Sequence, residues 1–191
     1  MAFTAVRHHV SGLPVARLPF AAGALSAPRL ADAIRTLVGD SAAMALAMAD
    51  AATALWTRFL KFDGADPAWP DRDRFVISAD DGHPLLRALL QLTDVHGVAG
   101  GEGAAAPPTL EFGTHPGVEA SSGPLGQNFA AAVGMALAER MLAARFGRSL
   151  VDHRTWVIAA EGDLMEGVSH EAASLAGHLR LGRLTVLYDR N

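Results

Sequence analysis

The chain has 191 residues, of which half are hydrophobic, and a formal net charge of −4. This composition is typical of a globular domain, and the absence of a long basic run disfavours a nucleic-acid-binding protein. The lack of cysteine excludes disulfides, thiolate metal sites and a cysteine nucleophile, and no uncharged run is apolar enough for a membrane span.

The first 29 residues predict an irregular extension ahead of a domain that spans 30–191. Several prolines and glycines interrupt any continuous helix there. The stretch lacks acidic residues but carries Arg7, Arg17 and Arg29, a composition that organellar transit peptides share. We expect an extension on a cytoplasmic protein, with an import signal as the alternative.

Helical and strand signals alternate along the rest of the chain. In chain order we predict a helical stretch at 30–62 with a break at 39–41, a polar, turn-rich loop at 64–74, a strand at 75–78, a helix at 84–93 with Pro84 in its first turn, a long loop at 94–117, a helix at 124–147, a strand at 155–160, a helix at 165–180 and a strand at 184–188. The charges at 71–74 are expected to form a solvated, partly paired turn. This order predicts an α/β fold with a mostly parallel sheet and helices on both faces.

The helix at 124–147 is apolar around nearly its whole circumference. We therefore expect it to be buried on all sides, and Gly147 to end it.

Polar residues follow each predicted strand. The segments are 80–82 (Asp-Asp-Gly), 161–163 (Glu-Gly-Asp) and 189–191 (Asp-Arg-Asn). Ligands in parallel α/β sheets bind beyond the carboxyl ends of the strands. The three segments are thus expected to converge on one edge and form the functional site.

A glycine-rich turn precedes the long helix, in the sequence GVEASSGPLGQ at 117–127. Gly123 and Gly126 allow the backbone to approach a ligand closely, and Pro124 favours the first turn of a helix. The free N–H groups of a helix N-terminus suit an anion. The alternative is a purely structural turn.

The segment 161–163 places two carboxylates around a glycine at a strand end. Oxygen ligands of this kind suit Mg²⁺, which often bridges a protein to phosphate groups. Asn191, after the next strand, offers a further amide oxygen. The alternative is that Asp163 caps the following helix and that the other groups are solvated.

Together these segments resemble the transketolase family. GVEASSGPLGQ is similar to the family signature GVETTTGPLGQ, and the run from Glu161 to Asn191 resembles its GDG–MEG–SHEA–SLAG–LxLG–YDxN pattern. The resemblance covers about 30–191. It implies a thiamine-diphosphate-binding fold, here a diphosphate-binding domain incomplete at its C-terminus, and transfer of two-carbon ketol units between sugar phosphates.

The resemblance also implies cofactors and site residues. The cofactors are thiamine diphosphate and Mg²⁺ (or Ca²⁺). The implied roles are Glu161 and Asn191 for the metal, Gly162 for the diphosphate, Gly123, Pro124 and Leu125 along the two cofactor rings, and Glu166 near a dimer interface that couples two sites.

The sequence departs from the family at its histidines and at the metal-binding aspartate. Asp81 stands at a usual histidine position, His83 follows two residues later, and His115 lies just before the GVE motif. These three residues and Glu166 are the candidate catalytic residues. Glu161 replaces aspartate and moves the carboxylate one methylene outward, which matters because Mg²⁺ demands near-ideal geometry.

The family's site lies between two subunits, and nothing here corresponds to the pyrimidine-binding domain that completes it. The predicted partners are sugar phosphates, a pyrimidine-binding domain and, in the complete protein, a second copy of the chain. The isolated chain is expected to be inactive. The alternatives are a non-catalytic dimerising or regulatory relative, and a thiamine enzyme of another substrate class, such as a deoxyxylulose-phosphate-synthase-like one.

Overall fold

A three-stranded parallel sheet forms the centre of the computed structural model, which describes residues 27–38, 43–78, 82–93, 110–113, 115–121 and 123–190. The strands are β1 (Arg74–Ile77), β2 (Thr155–Ala160) and β3 (Leu184–Asp189), in the order β1-β2-β3. Ile77 pairs with Ile158, and Ala160 with Asp189. The predicted parallel sheet is confirmed.

Seven helices lie within the described residues. They are α1 (Ala27–Val38), α2 (Ala43–Ala47), α3 (Ala49–Arg58), α4 (His83–Leu92), α5 (Gln127–Phe146), α6 (Glu161–Met165) and α7 (Gly167–His178). The stretch predicted as helical at 30–62 is therefore three helices, which end at Arg58, and its break at 39–41 lies outside the described residues. No described helix is long and apolar enough to cross a membrane.

The sheet is covered on both faces, as predicted. Phe75, Ile77 and Ile158 point into a core made with α1 to α4, whereas Val76 and Val157 point into a second core made with α5 and α7. This split follows from the alternation of side chains along a strand. Because both faces of the sheet are buried, side chains that point to either face are apolar, and each strand is a short, nearly continuous hydrophobic run.

The expectation that α5 is buried on all sides is wrong for the described chain. Phe129, Ala132 and Ala136 lie in the second core, but Met141 is 65% exposed and Phe146 is 50% exposed. The sheet and α7 cover one side of the helix and leave the other apolar side open. Gly147 ends the helix as predicted, with a φ of 87°.

The pairing expected of the charged turn at 71–74 is confirmed, but its expected solvation is wrong for Asp73. Asp73 is only 4% exposed and accepts hydrogen bonds from the N–H groups of Lys61 and Arg154 and from the Trp156 ring. Arg72, in the same turn, forms an ion pair with the buried carboxylate of Glu119. The turn holds the amino ends of the strands together, because its charged side chains bond to groups that are distant in sequence.

Candidate functional site

The carboxyl ends of the three strands lie along one edge of the sheet. Ser78 follows β1 and its N–H donates to the Ile158 carbonyl at 2.8 Å, while Ala160 at the end of β2 pairs with Asp189 at the end of β3. Helix α6 begins at Glu161, directly after β2. The described parts of the three polar strand ends therefore share one edge, as the sequence predicts.

Asp163 joins three separate segments at this edge. Its carboxylate accepts hydrogen bonds from the Ser78 hydroxyl at 2.8 Å, the Gly126 N–H at 3.0 Å and the Ala160 N–H at 3.0 Å. Its own carbonyl accepts from the Ser169 hydroxyl at 2.6 Å. The side chain is fully buried, and these bonds offset its burial. Asp163 is thus a structural acceptor, and its carboxylate is not free to bind a metal.

The glycine turn packs against the start of α7. Gly126 has a φ of 79°, in the region that favours glycine. A Cβ atom on Gly126 would lie 2.4 Å from Ser169 Oγ and 3.1 Å from both Glu166 Cβ and Val168 Cγ1. Glycine is therefore needed here both for backbone conformation and for close packing of the turn on α7.

A second set of hydrogen bonds holds the turn to β1. The Asn128 amide donates to the carbonyls of Ser121, at 3.0 Å, and Ile77, at 3.3 Å. The Phe129 N–H donates to the Ser78 hydroxyl at 3.2 Å. Ser78 thus donates to Asp163 and accepts from α5. Neither Ser78 nor Asn128 is among the site residues predicted from the sequence. The available signal for Ser78 was a polar residue at the end of a hydrophobic strand, whereas no pattern in the sequence marked Asn128.

Two acidic side chains at the edge carry oxygens without a hydrogen-bond partner in the described part of the chain. Glu161 is exposed and forms no hydrogen bond or ion pair within the described part of the chain. Asp189 has a buried Oδ2 atom without a hydrogen-bond partner among the described residues. Carboxylate oxygens are the ligands that Mg²⁺ and Ca²⁺ prefer. No group of three or more His, Cys, Asp or Glu suitable for a metal occurs in the described residues, so further oxygens would have to come from elsewhere.

The structure brings several predicted site residues together. A Cβ on Gly162 would lie 3.5 Å from Leu125 Cδ1, and the Cβ of Glu166 lies beside Gly126. The Pro124 carbonyl accepts from the Gln127 N–H at the start of α5. Gly123 lies three residues before Gly126 in the same turn. The turn at 123–126 and the segment at 161–166 therefore form one continuous surface.

The candidate histidines lie outside this hydrogen-bonded group. His83 begins α4, and its buried Nδ1 has no hydrogen-bond partner among the described residues. His115 lies in a turn where its carbonyl accepts from Val118. Neither side chain bonds to 161–166 in the described chain. Asp81 and Asn191 lie outside the described residues.

Two shifted pKa values occur at the opposite edge of the sheet. Burial raises the pKa of the Asp71 carboxyl, but hydrogen bonds from Lys61, the Asp152 N–H and the His153 ring outweigh burial and lower it below its ordinary value. Burial lowers the pKa of the Arg74 guanidinium, which the charge of Glu119 opposes. These groups fasten the amino ends of the strands and take no part in the candidate site.

Comparison with known families identifies a match over most of the chain. The family model of the transketolase thiamine diphosphate binding domain matches residues 25–191. The transketolase of Cereibacter sphaeroides is 49% identical over 184 residues, which cover 88% of this chain and 28% of that protein. The transketolase of Bacillus subtilis is 48% identical over 169 residues, which cover 84% of this chain and 25% of that protein.

Solved structures show the same likeness. Transketolase from Leishmania mexicana superposes with a TM-score of 0.78 and 42% sequence identity, over 87% of this chain and 28% of that one. Transketolase from Campylobacter jejuni gives a TM-score of 0.76 and 33% identity, over 86% and 28% of the respective chains. The chain thus spans about a quarter of the length of its relatives.

Proposed function

Because the chain belongs to the transketolase family, we propose that it supplies the diphosphate- and metal-binding half of the site in a ketol transferase that uses thiamine diphosphate. The observation that carries the proposal is the hydrogen bond from the Gly126 N–H to Asp163. It joins the turn that resembles the family's ring-binding segment to the loop that resembles its metal–diphosphate segment. Two separate motifs thereby become one surface at the ligand-binding edge of the sheet.

The free oxygens at this edge fit a divalent cation. We propose that Glu161 and Asn191 bind Mg²⁺ (or Ca²⁺), with the diphosphate oxygens filling further positions. The choice of Glu161 over Asp163 is supported by the exposed carboxylate of the former and the three hydrogen bonds that occupy the latter. The unpartnered Asp189 Oδ2 adds negative potential beside the same position.

The residues of this chain bind and orient the cofactor. When bound, thiamine diphosphate supplies the carbanion chemistry by which a two-carbon ketol unit passes between sugar phosphates. We assign the diphosphate to the backbone at Gly162, beside the start of α6, and the two rings to the surface of Gly123, Pro124 and Leu125. The turn, held by the hydrogen bond to Asp163 and by the one from Asn128, would keep the two rings in one orientation, as positioning requires.

The residues proposed for proton transfer are chosen from the resemblance to the family and from their positions in the fold. His83 lies half-buried at the start of α4, and an imidazole ring can donate to a substrate hydroxyl. His115 and Asp81 are the other candidates near the substrate. Glu166 lies beside Gly126 on an exposed surface and is proposed to act across a subunit boundary.

We further propose that the site is completed by a pyrimidine-binding domain across a homodimer. Leu125, Met165 and Val168 are 42%, 75% and 47% exposed, and all three lie next to the glycine turn or α6. Such an apolar rim around a binding surface is typical of a protein interface. Sugar phosphates are the proposed substrates, and a cytoplasmic location stays a prediction.

The proposal is tested on the complete gene product by titration with thiamine diphosphate and Mg²⁺, followed by assay of ketol transfer from a ketose phosphate. We expect Glu161→Ala to raise the Mg²⁺ concentration needed for half-saturation by about tenfold or more, since it removes a charged ligand. The melting temperature without metal should not change, because Glu161 has no partner in the described chain.

The matched control is Asp66→Ala, which removes another exposed carboxylate, in the loop before β1. It should alter neither the metal requirement nor activity. Failure of the parent protein to bind thiamine diphosphate would overturn the proposal. Binding without ketol transfer would favour a non-catalytic relative or a different substrate class.

A further inference from the structure

We infer that Asp163 is a positioning residue that sets the cofactor-binding geometry by holding the glycine turn and the start of α6 in fixed relation. The inference rests on the proposed function. It assigns a role to a side chain that does not itself touch the metal or the cofactor.

The contacts of Asp163 reach both halves of the proposed site. Oδ1 accepts from the Gly126 N–H, at the end of the turn that faces the two cofactor rings. Oδ2 accepts from the Ala160 N–H and closes the first turn of α6, which carries Glu161 and Gly162. Movement of this one carboxylate would therefore displace the ring-binding turn relative to the metal ligand.

A carboxylate is specifically suited to this position. All three groups that contact it are donors: the hydroxyl of Ser78 and the N–H groups of Gly126 and Ala160. An ionised carboxylate offers acceptor positions alone, whereas an amide would turn an NH₂ group toward one of the donors. In a fully buried site the unpaired donor then has no water to bond, and the turn would shift to satisfy it.

The backbone at Gly126 depends on this anchor. Its φ of 79° and its tight packing against Ser169 leave little freedom for compensating movement. Ser169 is itself fixed, because its hydroxyl donates to the Asp163 carbonyl. The turn, the loop and the start of α7 therefore form a preorganised unit of the kind that lowers the cost of binding a ligand.

The test compares cofactor affinity with stability in Asp163→Asn, in the complete gene product. The equilibrium Kd for thiamine diphosphate is measured by calorimetry at saturating Mg²⁺, and the Tm is measured without cofactor. We expect the Kd to rise by about tenfold or more, since a hydrogen bond to a charged group is lost at the site itself.

Ile158→Val is the matched control for stability. Ile158 is fully buried in β2, and trimming it lowers the Tm without touching the hydrogen bonds at the edge. The inference predicts an unchanged Kd for this control. A Kd for Asp163→Asn within twofold of the parent value would overturn it, whatever happens to the Tm.

Ser78→Ala provides a second variant if Asp163→Asn fails to fold. It removes one of the three donors to Asp163 and the acceptor of the Phe129 N–H. We expect the Kd to rise about threefold, and no rise would overturn the inference. If the parent protein itself does not bind thiamine diphosphate, the proposed function fails, and this outcome is distinct from an unchanged Kd in the variants.

Discussion

At the scale of single residues, buried carboxylates hold both edges of the sheet. Asp163 joins the strand ends at the ligand-binding edge, and Asp73 joins the strand starts at the other. Each accepts three hydrogen bonds from groups far apart in the chain or at a helix start. A buried charge is tolerated when it is fully hydrogen-bonded, and removing one partner leaves a costly unsatisfied group. These aspartates therefore act as cross-links between segments.

Asp71 makes the stability of the protein depend on pH in acid. Its pKa in the folded protein lies below the ordinary value, because hydrogen bonds from Lys61, the Asp152 N–H and the His153 ring outweigh its burial. Ionised Asp71 therefore stabilises the folded protein at pH values above its unfolded-state pKa of about 4. This stabilisation is lost as the pH falls through the lower folded-state pKa.

We expect Asp71→Asn to lower the free energy of unfolding by about 1 kcal/mol at pH 7 and by less at pH 3. Urea unfolding at the two pH values measures both numbers. Asp66→Asn, at an exposed carboxylate without a side-chain partner in the described residues, is the control. An equal loss of stability for Asp71→Asn at both pH values would contradict the argument.

At the scale of elements, the junction of α5, α6 and α7 determines the shape of the site. Helix α6 has only five residues and follows β2 without a loop, so the segment expected to be an open carboxylate loop is itself helical. This geometry exposes Glu161 and turns Asp163 inward. The alternative that Asp163 caps the following helix is wrong, because the N-cap of α7 is Glu166, whereas Asp163 lies within α6 and its Oδ2 accepts from the Ala160 N–H.

Gly126→Ala tests the packing of this junction. Alanine at this position would have to adopt a positive φ, and its Cβ would clash with Ser169 Oγ at 2.4 Å. We expect a loss of about 2–4 kcal/mol in the free energy of unfolding, from backbone strain and overpacking together. Chemical denaturation of the variant and the parent gives this difference.

Gly134→Ala is the matched control within α5. A Cβ there meets no atom within 4 Å, and alanine is the better helix former. It should raise stability by about 0.5–1 kcal/mol. A similar loss in both variants would mean that the cost lies in α5 generally and not in the turn.

At the scale of the whole molecule, the described chain has two well-packed cores and a large exposed apolar surface. The first core lies under α1 to α4, and the second under α5 and α7. Apolar side chains remain exposed along α5 and around the glycine turn, including Met141, Phe146 and Met165. Exposed apolar surface of this extent is typical of surfaces that contact another part of the protein or another chain.

Val168→Glu tests whether the rim of the site is an interface. Val168 is 47% exposed at the start of α7, beside Gly126. A charge placed in a buried interface is unpaired, so we expect the dimer dissociation constant of the complete gene product to rise by about tenfold or more. Sedimentation velocity over a range of concentrations measures this change.

Leu150→Glu is the control at the other edge of the sheet. Leu150 is 68% exposed and lies between α5 and the start of β2. It should leave the oligomeric state unchanged. A complete gene product that is monomeric before substitution would contradict the proposed dimer.

The sequence by itself determined most of the elements, the parallel sheet and the edge at which the polar strand ends meet, because these depend on local periodicity and on the order of strands and helices. It also placed Gly123 to Leu125 and Glu161 to Glu166 in two motifs whose proximity the structure confirms. The roles of Asp81 and Asn191 stay predictions, since both residues lie outside the described part of the chain.

Only the tertiary structure decided which carboxylate is buried and which is free. The bonds to Asp163 span 37 residues to Gly126 and 85 to Ser78, and no local pattern encodes contacts over such separations. The same holds for the buried Asp73 and for the one-sided burial of α5. Whether a polar or apolar side chain is satisfied depends on the partners that the whole fold brings to it, because burial and hydrogen bonding are properties of the packed chain.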